Sequence, residues 1–172
     1  TIEIGGETYR IVWTPGHADG HMILHRADGL AFTGDQVLMK ITPNIARWPE
    51  LDPNPLAHYL DSLDKLERLQ LARALPGHRA LIYDLPKRMA ELRAHHAARL
   101  RDCLAAARHC TAYEVCLEIF PRLKSADDVR MALVETLAHL EYLVVKGQLT
   151  AHTQRGAQGQ ELVIYAPTLI PR

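Results

Sequence analysis

The chain has 172 residues, 48% hydrophobic and 23% charged, so it can fold into one medium or two small globular domains and is not expected to be disordered. Twenty basic residues balance twenty acidic ones, which gives no bulk attraction to nucleic acid or acidic membranes. No apolar run approaches the roughly 20 residues that span a bilayer, and no signal peptide opens the chain. We therefore expect a cytoplasmic protein with no membrane partner.

The first elements in chain order are two pairs of short strands. Residues 1–4 and 9–13 flank Gly5-Gly6 and predict a hairpin, and residues 22–26 and 30–33 flank an Ala-Asp-Gly turn and predict a second. The segment TPGHADGH follows the first hairpin at residues 14–21, and TGD ends the second at residues 33–35. His17 and Asp35 therefore lie just after strands, where loops are held firmly and still reach solvent.

A proline-rich connection then leads to a helix. Residues 41–55 contain four prolines and predict an irregular loop, which is usually functional at this length. Arg47 and Trp48 supply its recognition chemistry, so it is either a substrate-facing wall or a loop that Trp48 anchors to the core. Asn54-Pro55 predicts a helix start, and leucines at helical spacing follow. Ala-Leu-Pro-Gly-His at residues 74–78 then predicts a short strand that ends at His78.

Three metal-type side chains thus follow runs of β-forming residues: His17, Asp35 and His78. They can converge on one point if the strands lie side by side. Neutral imidazoles and a carboxylate are the ligands that a hydrolytic zinc ion prefers. The sequence therefore predicts a metal site.

The order TPGHxxGH, TGD, PGH resembles the C-terminal half of the metallo-β-lactamase fold of hydrolases. The resemblance covers roughly the first half of the chain. It implies that His17 serves a first zinc ion, Asp35 bridges two zinc ions and positions a hydroxide, and His78 serves the second. His21 would orient the loop without binding metal.

The sequence departs from the family in one respect. The leading HxHxDH motif, which supplies the other four ligands, does not occur in it. We expect the chain to be the C-terminal portion of a longer hydrolase whose missing N-terminal half is its first partner; the alternative is a natural chain that has lost its metal centre. Because three ligands cannot fix two tetrahedral zinc ions, we expect the isolated chain to bind metal weakly or not at all and to be catalytically silent.

The resemblance also implies the reaction. In the complete hydrolase, a hydroxide held by two zinc ions would attack a thioester, ester, lactone or similar small acyl substrate. Two alternatives stay open: a metallo-β-lactamase-fold ribonuclease, and a non-catalytic module that binds nucleic acid or protein. No run of arginines or lysines near the three motif segments favours RNA.

The remainder of the chain predicts mainly helices. Pro86 begins a helix that we expect to run to about His109, with Cys103 and Cys110, two turns apart, on one buried face. The cysteines are expected to be structural thiols. His95 and His96 point about 100° apart on such a helix and cannot chelate one ion together, so we expect them to be surface or packing residues.

The last elements predict a winged helix. A Thr-x-x-Glu capping box at residue 111 opens a short helix, Ser125 opens a longer one that Gly147 closes, and two strands follow at residues 149–153 and 161–165. The predicted fold is α+β: half of an αββα sandwich in residues 1–88, a connecting helix in 89–110, and a winged-helix-like domain in 111–168.

The charges of the winged-helix-like domain disfavour nucleic acid. Its long helix has Arg130 and Lys146 at opposite ends with acidic residues between, and Arg155 is the cation of the wing. We expect the domain to pack on the catalytic half or to form a homo-oligomer contact.

Overall fold

The structure, a computed structural model, describes residues 1–168. These form two compact units. The first unit comprises Thr1–Ile45 and Pro55–His95, and the second comprises Ala46–Asn54 and the residues from His96 onward. No helix in the described part of the chain is both long enough and apolar enough to cross a membrane.

The first unit is built on a five-stranded sheet whose strands lie in chain order. The strands are β1 (Ile2–Ile4), β2 (Glu7–Trp13), β3 (Met22–Arg26), β4 (Leu30–Gly34) and β5 (Arg73–Pro76). Strands β1 to β4 are antiparallel, which confirms both predicted hairpins, whereas β4 and β5 are parallel. Parallel strands end at the same edge of a sheet, so the residues that follow β4 and β5 lie near each other.

The two faces of this sheet differ because side chains alternate along each strand. Ile23 and Ala31 on one face are fully buried. The opposite face leaves six large apolar side chains exposed, with 41% to 58% of their surface accessible: Ile2, Ile4, Ile11, Trp13, Met22 and Phe32.

The first unit also contains the predicted helix after the proline-rich segment. No strand or helix lies between Gly34 and Pro55, and helix α1 spans Pro55–Arg68. Leu56, Tyr59, Leu63 and Leu66 of its apolar stripe are fully buried, and His58 and Asp61 are exposed.

Helix α2 (Leu85–Ala106) contains the boundary between the two units. It ends three residues before the predicted His109, and this corrects one expectation. Cys110 does not share a helical face with Cys103, because His109 adopts a left-handed φ of 60° and Cys110 pairs as a strand residue with Tyr165. Cys103, Cys110 and Cys116 are free thiols, and burial raises the pKa of Cys103 to about 12.

The second unit has the predicted order of short helix, long helix and hairpin. It comprises β6 (Cys110–Thr111), α3 (Ala112–Ile119), α4 (Ala126–Val145), β7 (Leu149–Arg155) and β8 (Glu161–Pro167), with sheet order β6-β8-β7. The capping boxes at Thr111 and Ser125 are both present. Lys146 is the C-cap of α4, and Gly147 follows it with a φ of 69°.

The second unit has its own hydrophobic core, in which Cys103, Val115, Leu140 and Tyr165 are at most 1% exposed. His96 is a packing residue, as predicted. It is 1% exposed, and its Nδ1 lies 3.1 Å from Nε2 of the buried His139.

Candidate metal centre

The loop that carries His17 is fixed at several points. The Thr14 N–H donates to the His21 carbonyl over 2.9 Å, which closes the loop. Gly16 has a φ of 135°, and a Cβ there would lie 2.5 Å from the Cα of Tyr59 on α1, so only glycine fits. The buried Ser62 hydroxyl, one turn further along α1, donates to the Pro15 carbonyl over 2.8 Å. Helix α1 therefore fixes the position of the turn that carries His17.

The orientation of the His17 ring follows from one hydrogen bond. Its Nδ1 lies 3.1 Å from the Asn44 carbonyl oxygen. A carbonyl only accepts, so Nδ1 carries the proton, and in the neutral ring Nε2 carries the lone pair. That Nε2 faces Asp35, 3.7 Å from Oδ2.

Asp35 and His78 meet because β4 and β5 run in parallel. The Gly77 N–H donates to the Gly34 carbonyl over 2.7 Å, which sets the turns after the two strands side by side. A Cβ on Gly77 would lie 2.5 Å from Asp35 Oδ1. His78 Nε2 lies 3.6 Å from the same Oδ1, and the His78 side chain is 63% exposed.

The three side chains fit metal ligation by geometry and by chemistry. Both N···O separations are longer than a hydrogen bond, and the buried Asp35 Oδ1 has no hydrogen-bond partner in the described structure. Two ligands of one tetrahedral zinc ion lie about 3.4 Å apart if each is roughly 2.1 Å from the metal. Each carboxylate oxygen thus faces one imidazole at close to ligand spacing.

The set is nevertheless short of donors. Within residues 1–168, no group of three or more histidine, cysteine, aspartate or glutamate side chains could hold a metal ion by itself. The carboxylate lies between the two imidazoles, so each potential ion receives two donors, whereas zinc takes four ligands.

His21 lies beside this set. Its Nδ1 is 3.0 Å from the Thr14 hydroxyl, and a Cβ on Gly34 would lie 2.9 Å from its Nε2. Burial lowers the pKa of His21, repulsion from His17 lowers it further, and the Asp35 carboxylate acts in the opposite direction. Burial therefore favours the neutral form of the ring, which lies between the turns that carry His17 and Asp35.

Several residues that shape this site were not found from the sequence. Tyr59 closes against Gly16, and its hydroxyl donates to the Gln36 carbonyl over 3.1 Å. Ser62 supports Pro15. In the sequence, a serine beside the apolar stripe of α1 indicates a buried hydrogen bond. The sequence does not identify the acceptor of that bond.

The sequence left two alternatives open for the proline-rich loop, a substrate-facing wall or a loop that Trp48 anchors to the core. Ala46–Asn54 belongs to the second unit, where the Arg47 N–H donates to the Val134 carbonyl over 2.9 Å. The Arg130 guanidinium lies 5.5 Å from the centre of the Trp48 ring. These contacts favour the anchoring alternative for Trp48.

Two family models match the chain. Residues 1–78 match the Metallo-beta-lactamase superfamily, and residues 100–161 match the model described as Metallo-beta-lactamase-like, C-terminal domain. The two matches therefore cover most of both units.

Individual proteins of known name are also similar to this chain. Lactamase-like protein adaB of Aspergillus niger is 36% identical over 106 residues, which are 61% of this chain and 31% of that protein. Atrochrysone carboxyl ACP thioesterase AacuM of Aspergillus aculeatus is 33% identical over 106 residues, again 61% of this chain and 31% of that protein.

A solved structure covers almost the whole chain. The metallo-beta-lactamase family protein TTHA1429 from Thermus thermophilus superimposes with a TM-score of 0.83 at 39% identity, over 96% of this chain and 51% of that chain. The chain thus spans about half the length of this structural relative and about a third of the two fungal proteins.

Proposed function

This chain belongs to the metallo-β-lactamase superfamily, and we propose that its first unit supplies His17, Asp35 and His78 to a binuclear zinc site. The site would belong to a hydrolase that cleaves a thioester, ester, lactone or similar small acyl substrate. One observation carries the proposal: the Asp35 carboxylate lies between two imidazoles, with Oδ2 toward His17 and Oδ1 toward His78.

Each of the three residues has a defined role in this proposal. His17 offers the Nε2 lone pair that its bond to the Asn44 carbonyl leaves available, and His78 offers Nε2 from a mostly exposed ring. Asp35 would be the ligand that the two ions share. When bound, zinc lowers the pKa of a water molecule to about 7 and so supplies a nucleophile at neutral pH.

Other residues of the chain position these ligands. His21 and Thr14 hold the turn that carries His17, while Gly77 leaves the space that the Asp35 carboxylate occupies. Such supporting contacts orient metal ligands and tune their affinity.

Acyl substrates are favoured over nucleic acid. One relative is named as a thioesterase, and this supports an acyl substrate by analogy. On α4, the Arg130 guanidinium lies 3.5 Å from Asp127 and also over the Trp48 ring, so it is not presented freely to a phosphate backbone.

The number of metal ligands limits how well this chain can bind zinc by itself. Two donors for each ion cannot fix tetrahedral zinc, so the remaining ligands would come from outside the described residues. We expect the chain by itself to bind zinc weakly and to show no zinc-dependent hydrolysis. Robust thioester hydrolysis by the chain alone that His78→Ala abolishes would contradict this expectation.

A pair of glycine substitutions tests the ligand assignment. Gly77→Ala places a methyl group 2.5 Å from Asp35 Oδ1, which forces the carboxylate to move, whereas a Cβ on Gly20 meets nothing within 4 Å. In a zinc titration followed by the imidazole nitrogen signals of His17 and His78, Gly77→Ala should weaken binding by about tenfold or more. Gly20→Ala should leave it unchanged. Equal binding by both variants would show that Asp35 is not a ligand.

A further inference from the structure

A groove runs along the first unit beside the candidate metal centre. A pocket of about 620 Å³ is lined by residues that include Met39, Pro76, Arg79, Leu81 and Tyr83. A second pocket of about 380 Å³ shares Met39 and Arg79 with it and adds Lys40. We call these six residues the Arg79 groove. Pro76 and Arg79 lie on either side of Gly77-His78 in the chain, so the groove adjoins one of the three proposed ligands.

The walls of the groove are apolar. Met39 is 37% exposed, Leu81 is 40% exposed and Tyr83 is 71% exposed. Apolar side chains that stay accessible at a concave surface are typical of small-molecule sites, which commonly occupy about 300–1,000 Å³.

The groove also contains two uncompensated positive charges. Lys40 and Arg79 make no hydrogen bond or ion pair with an acidic side chain within residues 1–168. Nearby Arg88 behaves differently, because it donates to the Leu38 and Ile41 carbonyls over 2.6 and 3.0 Å and pairs with Glu91. Arg88 therefore fixes the segment that carries Met39 and Lys40, while the charges of Lys40 and Arg79 remain available.

The backbone holds Arg79 in a fixed turn. Ala74 and Ile82 exchange two backbone hydrogen bonds of 2.8 and 3.0 Å, which close the loop that carries His78 and Arg79. Arg79 adopts a left-handed φ of 71°. Glycine or asparagine would adopt this conformation with less strain, and strained non-glycine residues cluster at ligand-binding sites.

We propose that the Arg79 groove selects acyl substrates that carry an anionic group, a carboxylate or a phosphate, next to an apolar chain. Arg79 and Lys40 would bind the anion, and Met39, Leu81 and Tyr83 would contact the chain. The inference rests on the proposed function and names its substrate class. Arg79 and Lys40 are specificity residues in this proposal, because they would bind the anionic group of the substrate and not its acyl carbon.

Simple probes test the groove without any reaction. Octanoate, octyl phosphate and neutral octanamide are titrated into the full chain in the presence of EDTA, and binding is followed through the signals of Leu81 and Tyr83. We expect the better anion to bind at least about tenfold more tightly than octanamide, because a charge-assisted hydrogen bond is worth about one such factor. The tighter of the two anions identifies the headgroup. Equal affinity for all three probes would overturn the proposal.

Substitutions assign the selectivity to the two cations. Arg79→Gln and Lys40→Gln should each weaken binding of the preferred anion severalfold, Arg79→Lys should restore much of the loss, and Arg155→Gln in the exposed hairpin should have no effect. Unperturbed amide signals of β4 and β5 would show that the variants fold. Loss of affinity in Arg155→Gln equal to that in Arg79→Gln would contradict the assignment.

A further variant separates this inference from the metal proposal. His78→Ala should abolish the zinc response of the site, whereas anion binding is measured in EDTA on the unsubstituted chain. Anion-selective binding without any zinc binding, even at Zn²⁺ concentrations high enough to fill a weak site, would keep the groove and count against the metal site. Zinc binding together with equal affinity for octanoate, octyl phosphate and octanamide would keep the metal site and refute the groove.

Discussion

The two units of this protein differ in how completely they bury their apolar side chains. The second unit packs three helices and a small sheet around a closed core whose central residues are at most 2% exposed. The first unit has fully buried residues such as Ile23 and Tyr59, but it leaves six large apolar side chains exposed on one sheet face. It also places His17, Asp35 and His78 together at one sheet edge. The closed hydrophobic core therefore lies in the second unit, and the candidate metal ligands lie in the first.

The largest expected effect sharpens this contrast between a closed core and an open sheet face. Leu140 is fully buried in the second unit, whereas Ile11 is 44% exposed in the first. Leu140→Ala should destabilise the second unit by about 2–5 kcal/mol. Ile11→Thr should cost less than about 1 kcal/mol, because the side chain is already in contact with water. Native-state hydrogen exchange of β8 and β2 measures the two effects separately, and equal losses would contradict the description of an open face.

A glycine in the first unit should give the next largest effect. Gly16→Ala adds a methyl group 2.5 Å from Tyr59 backbone and side-chain atoms, whereas Gly6 has a φ of 80° but nothing within 4 Å of its Cβ position. We expect a loss of about 2–4 kcal/mol for Gly16→Ala, from overpacking and backbone strain together, and about 1 kcal/mol for Gly6→Ala from strain alone. Denaturant unfolding of the two variants provides the measurement. Similar midpoints would mean that the contact between Gly16 and Tyr59 does not fix the His17 loop.

The support that α1 gives to the site is expected to be weaker. The buried Ser62 hydroxyl donates to the Pro15 carbonyl over 2.8 Å, so Ser62→Ala removes one hydrogen bond and should cost about 1–2 kcal/mol. Faster exchange of the amides in residues 14–21, with β7 and β8 unchanged, would place the effect in the first unit. Uniform changes in both units would argue against a local role.

The smallest expected effect concerns the second unit. Thr111 accepts a hydrogen bond from the Glu114 N–H over 3.2 Å in a reciprocal capping box. Thr111→Ala should cost about 1 kcal/mol and leave the imidazole signals of His17 and His78 unchanged. A shift of those signals would show that the separation between the units is not as sharp as we describe.

Local signals in the sequence predicted most of the elements. Gly5-Gly6, Asn54-Pro55, the capping box at Thr111 and the helix start at Ser125 mark element ends through turn and cap chemistry, and the structure confirms each of them. The predicted helix that contains Cys103 is longer than the observed helix, which ends at Ala106. Its periodicity continues past Ala106, and the pairing of Cys110 with Tyr165, 55 residues away in sequence, gives no local signal.

The candidate site could be predicted only in part. The three ligand types were visible because His17, Asp35 and His78 each follow strand-like residues. The spacing of Asp35 between two imidazoles depends on the parallel pairing of β4 with β5, and the Gly16 contact depends on where α1 packs. Both are long-range arrangements that a one-dimensional pattern does not encode. Whether these residues bind zinc remains a prediction.

The most direct test is anomalous diffraction at the zinc edge from crystals of this chain soaked in Zn²⁺. High concentrations compensate for the missing donors and allow a weak site to fill. We predict an anomalous peak within bonding distance of the Asp35 carboxylate and of Nε2 of His17 or His78, and its loss in Asp35→Asn. Zinc peaks at exposed histidines such as His152, with none at Asp35, would contradict the account.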